Sequence, residues 1–289
     1  MADIILQNDR LKVEIMQPGE EYRGGRYDWT GMTRQVTLDG KHTFLQAESP
    51  ESMGGRGLVG LWEYKSEDFF YETELGDKFP MMGIGLCSRF SPVFDRAEDF
   101  QITPFLRSTQ VSDDKTYVSF ETQPALCGGR AMYQFKEMWI DENDLYIRQT
   151  VKNVGTKHLD LQEFNHNFMC FDGHPVDRSY KLTPCYKPIP DVRRGLFGVE
   201  NDGIRVIELD GPTNSSAVKL DGFQGMTSHF MRISNDDNGM YVDVSEDFPI
   251  IRAYNWFCPE AFCCESFFDA EMDPGEEKTF TRKYTFACK

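Results

Sequence analysis

Long apolar runs are missing from this 289-residue chain, and nothing in it approaches the ~20 consecutive apolar residues of a membrane span. The opening M-A-D-I-I-L-Q-N-D-R holds no basic segment followed by an apolar one, so no secretion leader is read there and a cytoplasmic protein is expected. Positive charge is also scarce. Lys and Arg number 31 against 47 Asp and Glu, a net charge of −16 that repels a phosphate backbone and argues against nucleic acid as a partner. The acidic excess reads as a solvated surface. The 8 cysteines include no C-x-x-C pair and are too thinly spread for a disulfide scaffold. Cys170 ahead of His174 and the adjacent Cys263 and Cys264 lack the repeated close spacings of a zinc site, so no metal is expected and the thiols read as buried small hydrophobes. Helical periodicity is hard to find, no repeat recurs, and no Pro/Ser-rich linker divides the chain, which points to one domain over residues 1–289.

What the chain has instead is short alternating runs bounded by Gly, Asp, Asn and Pro, the pattern of β-strands. The clearest hairpin runs A-M-Y-Q-F-K-E-M-W-I, then D-E-N-D, then L-Y-I-R-Q-T-V. Tyr133, Phe135 and Trp139 share one parity in its first arm, and Leu145, Ile147 and Val151 share one in its second. Further strands are expected at 11–15, 35–38, 116–121, 159–171, 205–209, 239–244, 250–256, 262–272 and 278–286. So many strands at short intervals predict an all-β fold, a large antiparallel β-sandwich. Residues 48–90, rich in Gly and charge, are the least strand-like part and are expected to form a loop-rich excursion rimming a cleft.

Two residues raise the question of chemistry. In E-F-N-H-N-F-M-C-F-D-G, strand parity sends Phe164, His166, Phe168 and Cys170 to one side and Glu163, Asn165, Asn167 and Met169 to the other. His166 then sits on an aromatic face. That is compatible with a core histidine bonded to a carbonyl, and equally with an acid or base over an aromatic floor of the kind that holds a sugar ring. In A-F-C-C-E-S-F-F-D-A-E-M-D-P-G-E, Glu265 lies on the parity opposite Phe262, Cys264 and Phe268. Apolar neighbours there would desolvate its carboxylate and raise its pKa toward general-base use. The Y-R-G-G-R-Y-D-W-T-G stretch has two Arg around a Gly pair but no G-K-[ST] context. It reads as a structural element, with Gly24 and Gly25 serving a bulge or a close approach of strands and Trp29 packed.

The run N-V-G-T-K-H-L-D-L-Q-E-F-N-H-N-F, followed about a hundred residues later by C-C-E-S-F-F-D-A-E-M-D-P-G-E-E-K-T-F-T-R-K-Y-T-F, resembles the aldose 1-epimerase (galactose mutarotase-like) family. L-K-V-E-I…Q-V-T-L-D-G is similar to that family's first sheet, and G-I-G-L-C-S-R-F to its glycine-rich segment. The resemblance implies a supersandwich fold and an isomerase of carbohydrate metabolism that interconverts α and β anomers of a hexose or modified hexose. It implies His166 as acid, Glu265 as base, a small-molecule sugar as partner, and no metal, nucleotide or other cofactor. One departure is the absence of an H-G-x-H-G-G-like loop, which leaves the sugar open. Arg89 in S-R-F and Arg56 in G-G-R-G are candidates for contacting sugar hydroxyls or an anionic substituent. Asp210, in V-I-E-L-D-G, is a candidate for the family's ring-hydroxyl Asp by spacing. A non-catalytic carbohydrate-binding or regulatory relative with the same cleft is the alternative.

Overall fold

Alternating side chains closed by Gly- and Asp-centred turns give antiparallel strands throughout a computed structural model that describes residues 2–49, 52, 54–96, 98–210 and 214–289. Among these residues two ten-stranded sheets and a small three-stranded sheet form, and every strand pairing recorded is antiparallel. The all-β sandwich expected from the alternating runs is the observed architecture. The sheet that carries the candidate site has at its centre, side by side, Gly57–Tyr64, Leu161–Phe168, Ala261–Asp269 and Ile250–Cys258. The second sheet has at its centre Met240–Glu246, Glu277–Cys288, Asp144–Asn153 and Met132–Asp141.

The hairpin at Met132–Asp141 and Asp144–Asn153 forms as expected, with Asp141 opposite Asp144 across the turn. Its first arm has the less obvious polarity. Met132, Gln134, Lys136, Met138 and Ile140 face inward, while Tyr133, Phe135 and Trp139 are only half-buried on the outer side. The inner face tolerates Gln134 and Lys136 because partners await them. Lys136 Nζ lies 2.8 Å from Asp28 Oδ2 and donates to the Thr30 carbonyl, and Gln134 Nε2 donates to Asp28 Oδ2 and to Gln149 Oε1. The polar chain continues between the sheets from Gln149 to Glu163 and from Glu163 to Arg282, whose guanidinium also meets Glu246. Glu246 in turn receives His229. Pairing is what makes buried charges of this kind tolerable, although Gln134 Oε1 and His229 Nε2 have no hydrogen-bond partner among the described residues.

The 48–90 segment contains more regular structure than expected. Gly57–Tyr64 is a central strand, and Lys78–Met81 with Gly85–Ser88 belongs to the three-stranded sheet. In G-L-V-G-L-W-E-Y all but Glu63 are buried, so both faces are covered and the period-2 signal that marks a half-exposed strand is absent. Positions 50, 51 and 53 of the segment lie outside the described residues. The Tyr22–Gly31 stretch is irregular rather than a bulge between strands. A Cβ on Gly24 would stand 2.7 Å from the Tyr22 hydroxyl and one on Gly25 2.8 Å from the Phe100 ring, so the glycines admit aromatic side chains rather than neighbouring strands. Trp29 is buried there, as expected, with Nε1 donating to the Gly24 carbonyl.

Candidate active site

The parity of the Leu161–Phe168 strand is set from inside. Glu163, Asn165 and Asn167 point into the polar layer between the sheets, where Asn165 Nδ2 donates to the Tyr284 hydroxyl at 2.6 Å. That hydroxyl donates to Asn167 Oδ1 at 3.0 Å, and Asn167 Nδ2 donates to the Cys264 carbonyl. With these three residues committed inward, Phe164, His166 and Phe168 take the opposite face. The neighbouring Ala261–Asp269 strand is oriented the same way: the Ser266 hydroxyl lies 3.5 Å from His229 Nδ1 in the inner polar layer, so Glu265 faces outward.

Register brings the two candidates together. Phe164 pairs with Phe267 and Met169 bridges Phe262, and the antiparallel count between those points places His166 opposite Glu265. His166 Nε2 lies 3.1 Å from Glu265 Oε1. They stand side by side on a cleft floor rather than facing each other across it. Arg26, Glu48, Phe164, Tyr254 and Trp256 complete a cavity of about 330 Å³ around the pair. His166 stacks on Phe168 at 4.2 Å and meets the edges of Tyr27 and Trp256. Its Nδ1 is buried with no hydrogen-bond partner among the described residues.

This enclosure decides where the proton sits. Burial first, and then the positive charge of Arg26, pushes the His166 imidazole down to about 3. Burial raises the Glu265 carboxyl to about 8 against the opposing pull of Arg26 and Arg252. Burial thus works against charge on both partners and favours a neutral imidazole beside a carboxylic acid, their nearest atoms 3.1 Å apart. One partner can give a proton and the other can take one, the minimum an acid–base site needs.

The other candidates from the sequence lie elsewhere. Arg89 lies over the Phe70 ring at 4.4 Å and bonds the carbonyls of Thr73 and Ser91, closing the short 68–71 helix. Arg56 bonds the Ser52 carbonyl and pairs with Glu21 at 3.4 Å. Asp210 bridges Ser215. None of the three lines the cavity around His166 and Glu265. Arg26, Glu48, Tyr254 and Trp256, which do line it, carry no motif. Tyr254 and Trp256 follow from register, being opposite Glu265 and Cys263 on the adjoining strand. Arg26 is placed by the buried Asp28–Lys136 pair two residues on and by the Asp28 amide bonding the Gly60 carbonyl. Among the described residues no group of three or more His, Cys, Asp or Glu could hold a metal ion.

No protein-family model and no curated protein sequence matches the chain. Solved structures do. A candidate aldose 1-epimerase from Escherichia coli K12 superposes with a TM-score of 0.63 at 13% identity, covering 100% of this chain and 99% of that one. A galactose mutarotase related enzyme from Lactobacillus acidophilus gives 0.62 at 13%, with 99% and 97% covered. A galactose mutarotase-like protein from Lactobacillus casei gives 0.59 at 13%, with 99% and 100% covered. Likeness at this identity establishes a shared fold over nearly the whole chain. What the site does must be argued from its own residues.

Proposed function

We propose that the chain is an aldose 1-epimerase-like isomerase that interconverts the α and β anomers of a hexose or modified hexose, with His166 and Glu265 as its acid–base pair. The observation that carries this reading is the buried contact of the two, 3.1 Å apart, on the aromatic floor of a sugar-sized cleft. Anomer exchange needs one proton delivered to the ring oxygen and one removed from the anomeric hydroxyl, and both oxygens hang on the same carbon. An acid and a base side by side suit that geometry better than two groups on opposite walls.

In the step proposed, Glu265 gives its proton to the ring oxygen while His166 Nε2 takes the proton of the anomeric hydroxyl. The bond from C1 to the ring oxygen breaks and the open-chain aldehyde forms. The pair now stands as carboxylate and imidazolium. After rotation about C1–C2, imidazolium returns a proton to the carbonyl oxygen as the carboxylate takes one from the ring hydroxyl, and the ring closes on the other face. Proton count is conserved and no cofactor enters. The family resemblance casts His166 as the acid. Burial of both groups favours the opposite starting placement, and each turnover passes through both. Placed proton transfers of this kind contribute about 10²–10⁴-fold.

The test is polarimetry of freshly dissolved α-D-glucose and α-D-galactose. Rotation should relax faster than in buffer in proportion to protein concentration. Relaxation at the buffer rate for every hexose tried, together with sugar binding, would favour the non-catalytic carbohydrate-binding alternative.

A further inference from the structure

A second cavity, of about 460 Å³, opens on the same face further along the same strands. Its floor is set by register: Gln162 pairs with Glu63 on one side and with Asp269 on the other. Gln162 is four residues from His166, about 13 Å of extended strand. Between them lies the stacked pair Phe164 and Phe267, ring centres 4.1 Å apart, and Phe164 is itself a wall of the first cavity. Arg252 marks the boundary. Its guanidinium lies 3.6 Å over the Phe267 ring, its charge acts on Glu265 in the first cavity, and its side chain lines the second.

The lining suits a neutral, hydroxyl-rich ring. Glu63 is the hub, accepting from Arg96 at 2.7 Å, from Arg252 at 3.3 Å and from Gln162. Three donors leave its carboxylate one of about four acceptor positions. The Arg252 guanidinium, which donates to Glu63 through its Nη2, also lines the cavity, and its Nε–H has no hydrogen-bond partner among the described residues. Phe69 and Phe94, edge to face at 5.3 Å, supply an apolar wall. Charge argues against an anionic group. Lys65, Arg96 and Arg252 are matched in the lining by Glu63, Glu67 and Asp95, and each cation is already engaged, Lys65 by Asp269 and Glu271. A phosphate would have to break those pairs, whereas sugar hydroxyls can add to them.

Resting on the function proposed above, we infer that this cavity is a subsite for the second glycosyl unit of a reducing disaccharide or oligosaccharide, whose reducing-end ring lies over His166 and Glu265. The Phe164–Phe267 step is the saddle that the glycosidic linkage crosses.

The experiment compares D-glucose, D-galactose, maltose, cellobiose, lactose and glucose 6-phosphate by polarimetry, with titration calorimetry of the same sugars. Wild type is set against Glu67→Trp, an exposed position whose added bulk fills the second cavity, and Arg96→Ala. At least one disaccharide should exceed its reducing-end monosaccharide in kcat/KM by about tenfold, the return expected of one or two new hydrogen bonds. Both substitutions should erase that advantage and leave the monosaccharide rate within about twofold. Equal kcat/KM for mono- and disaccharides in wild type, an advantage that survives both substitutions, or a gain for glucose 6-phosphate matching that for the disaccharide would each overturn the subsite. If no sugar is turned over, the acid–base reading fails separately. Disaccharide binding that Glu67→Trp weakens about tenfold would still support the subsite, and binding it leaves unchanged would overturn it.

Discussion

Replacing Glu265 with glutamine should make the protein more stable at neutral and alkaline pH while removing the proposed activity. The carboxyl titrates near 8 in the fold against an ordinary 4.5, because burial disfavours its charged form. A group raised in this way contributes stability that is fully present below pH 4.5 and is lost as pH climbs through 8. Each pH unit in that window is worth about 1.4 kcal/mol. Keeping the carboxyl buried therefore costs about 3 kcal/mol at pH 7 and nearly 5, to order of magnitude, once pH exceeds 8. Glutamine has the same shape, carries no charge, and keeps a donor for His166 Nε2. Its stability should be flat over that range. Urea midpoints at pH 5, 7 and 8.5 for both proteins give the answer, since His166 titrates below its ordinary value in both and drops out of the difference. The gap should be about 1 kcal/mol at pH 5 and widen by several kcal/mol by pH 8.5. Parallel curves would refute the reasoning. They would mean that Glu265 is already ionised at pH 5, as it would be beside an imidazolium.

The same proton placement implies that the anomerisation rate falls as pH rises through about 8, where Glu265 loses its proton; a flat profile to pH 9.5 in a pH–rate series would disagree. Arg26 lowers both groups, so Arg26→Ala should move both limbs of that profile to higher pH. The displacement should be less than about one pH unit, because Arg26 is solvent-exposed and its field is screened. Arg282→Met strands Glu163 and Glu246 as buried, under-compensated carboxylates and should cost about 3–5 kcal/mol in the urea midpoint.

Much of the architecture was legible from local pattern. Leu11–Ile15 and most other half-exposed strands announce themselves by alternation, and parity separates His166 from Glu163, Asn165 and Asn167 and Glu265 from Cys264 and Phe268 without showing that the face of His166 opens on a cleft, since its strand is buried throughout. Gly57–Tyr64 does not announce itself, since a strand buried on both sides loses the alternation that makes strands visible. The hairpin arm at Met132–Asp141 shows the converse. Its aromatic parity is the outer one, and the inner parity carries Lys136 and Gln134, whose partner Asp28 is more than a hundred residues away. No local rule pairs residues at that separation. Arg26 escaped for the same reason: its loop reads as structural in isolation and gains a place at the cleft only once Asp28 is tied to Lys136 and Gly60.

The most direct measurement is the exchange of hexose anomers catalysed by wild type, His166→Ala and Glu265→Ala at equal concentration, with folding of each variant checked by circular dichroism. If the buried pair performs the chemistry, wild type accelerates exchange and each folded variant loses about 10²–10⁴-fold of that acceleration. Folded variants that keep the wild-type rate would contradict the assignment of His166 and Glu265 outright.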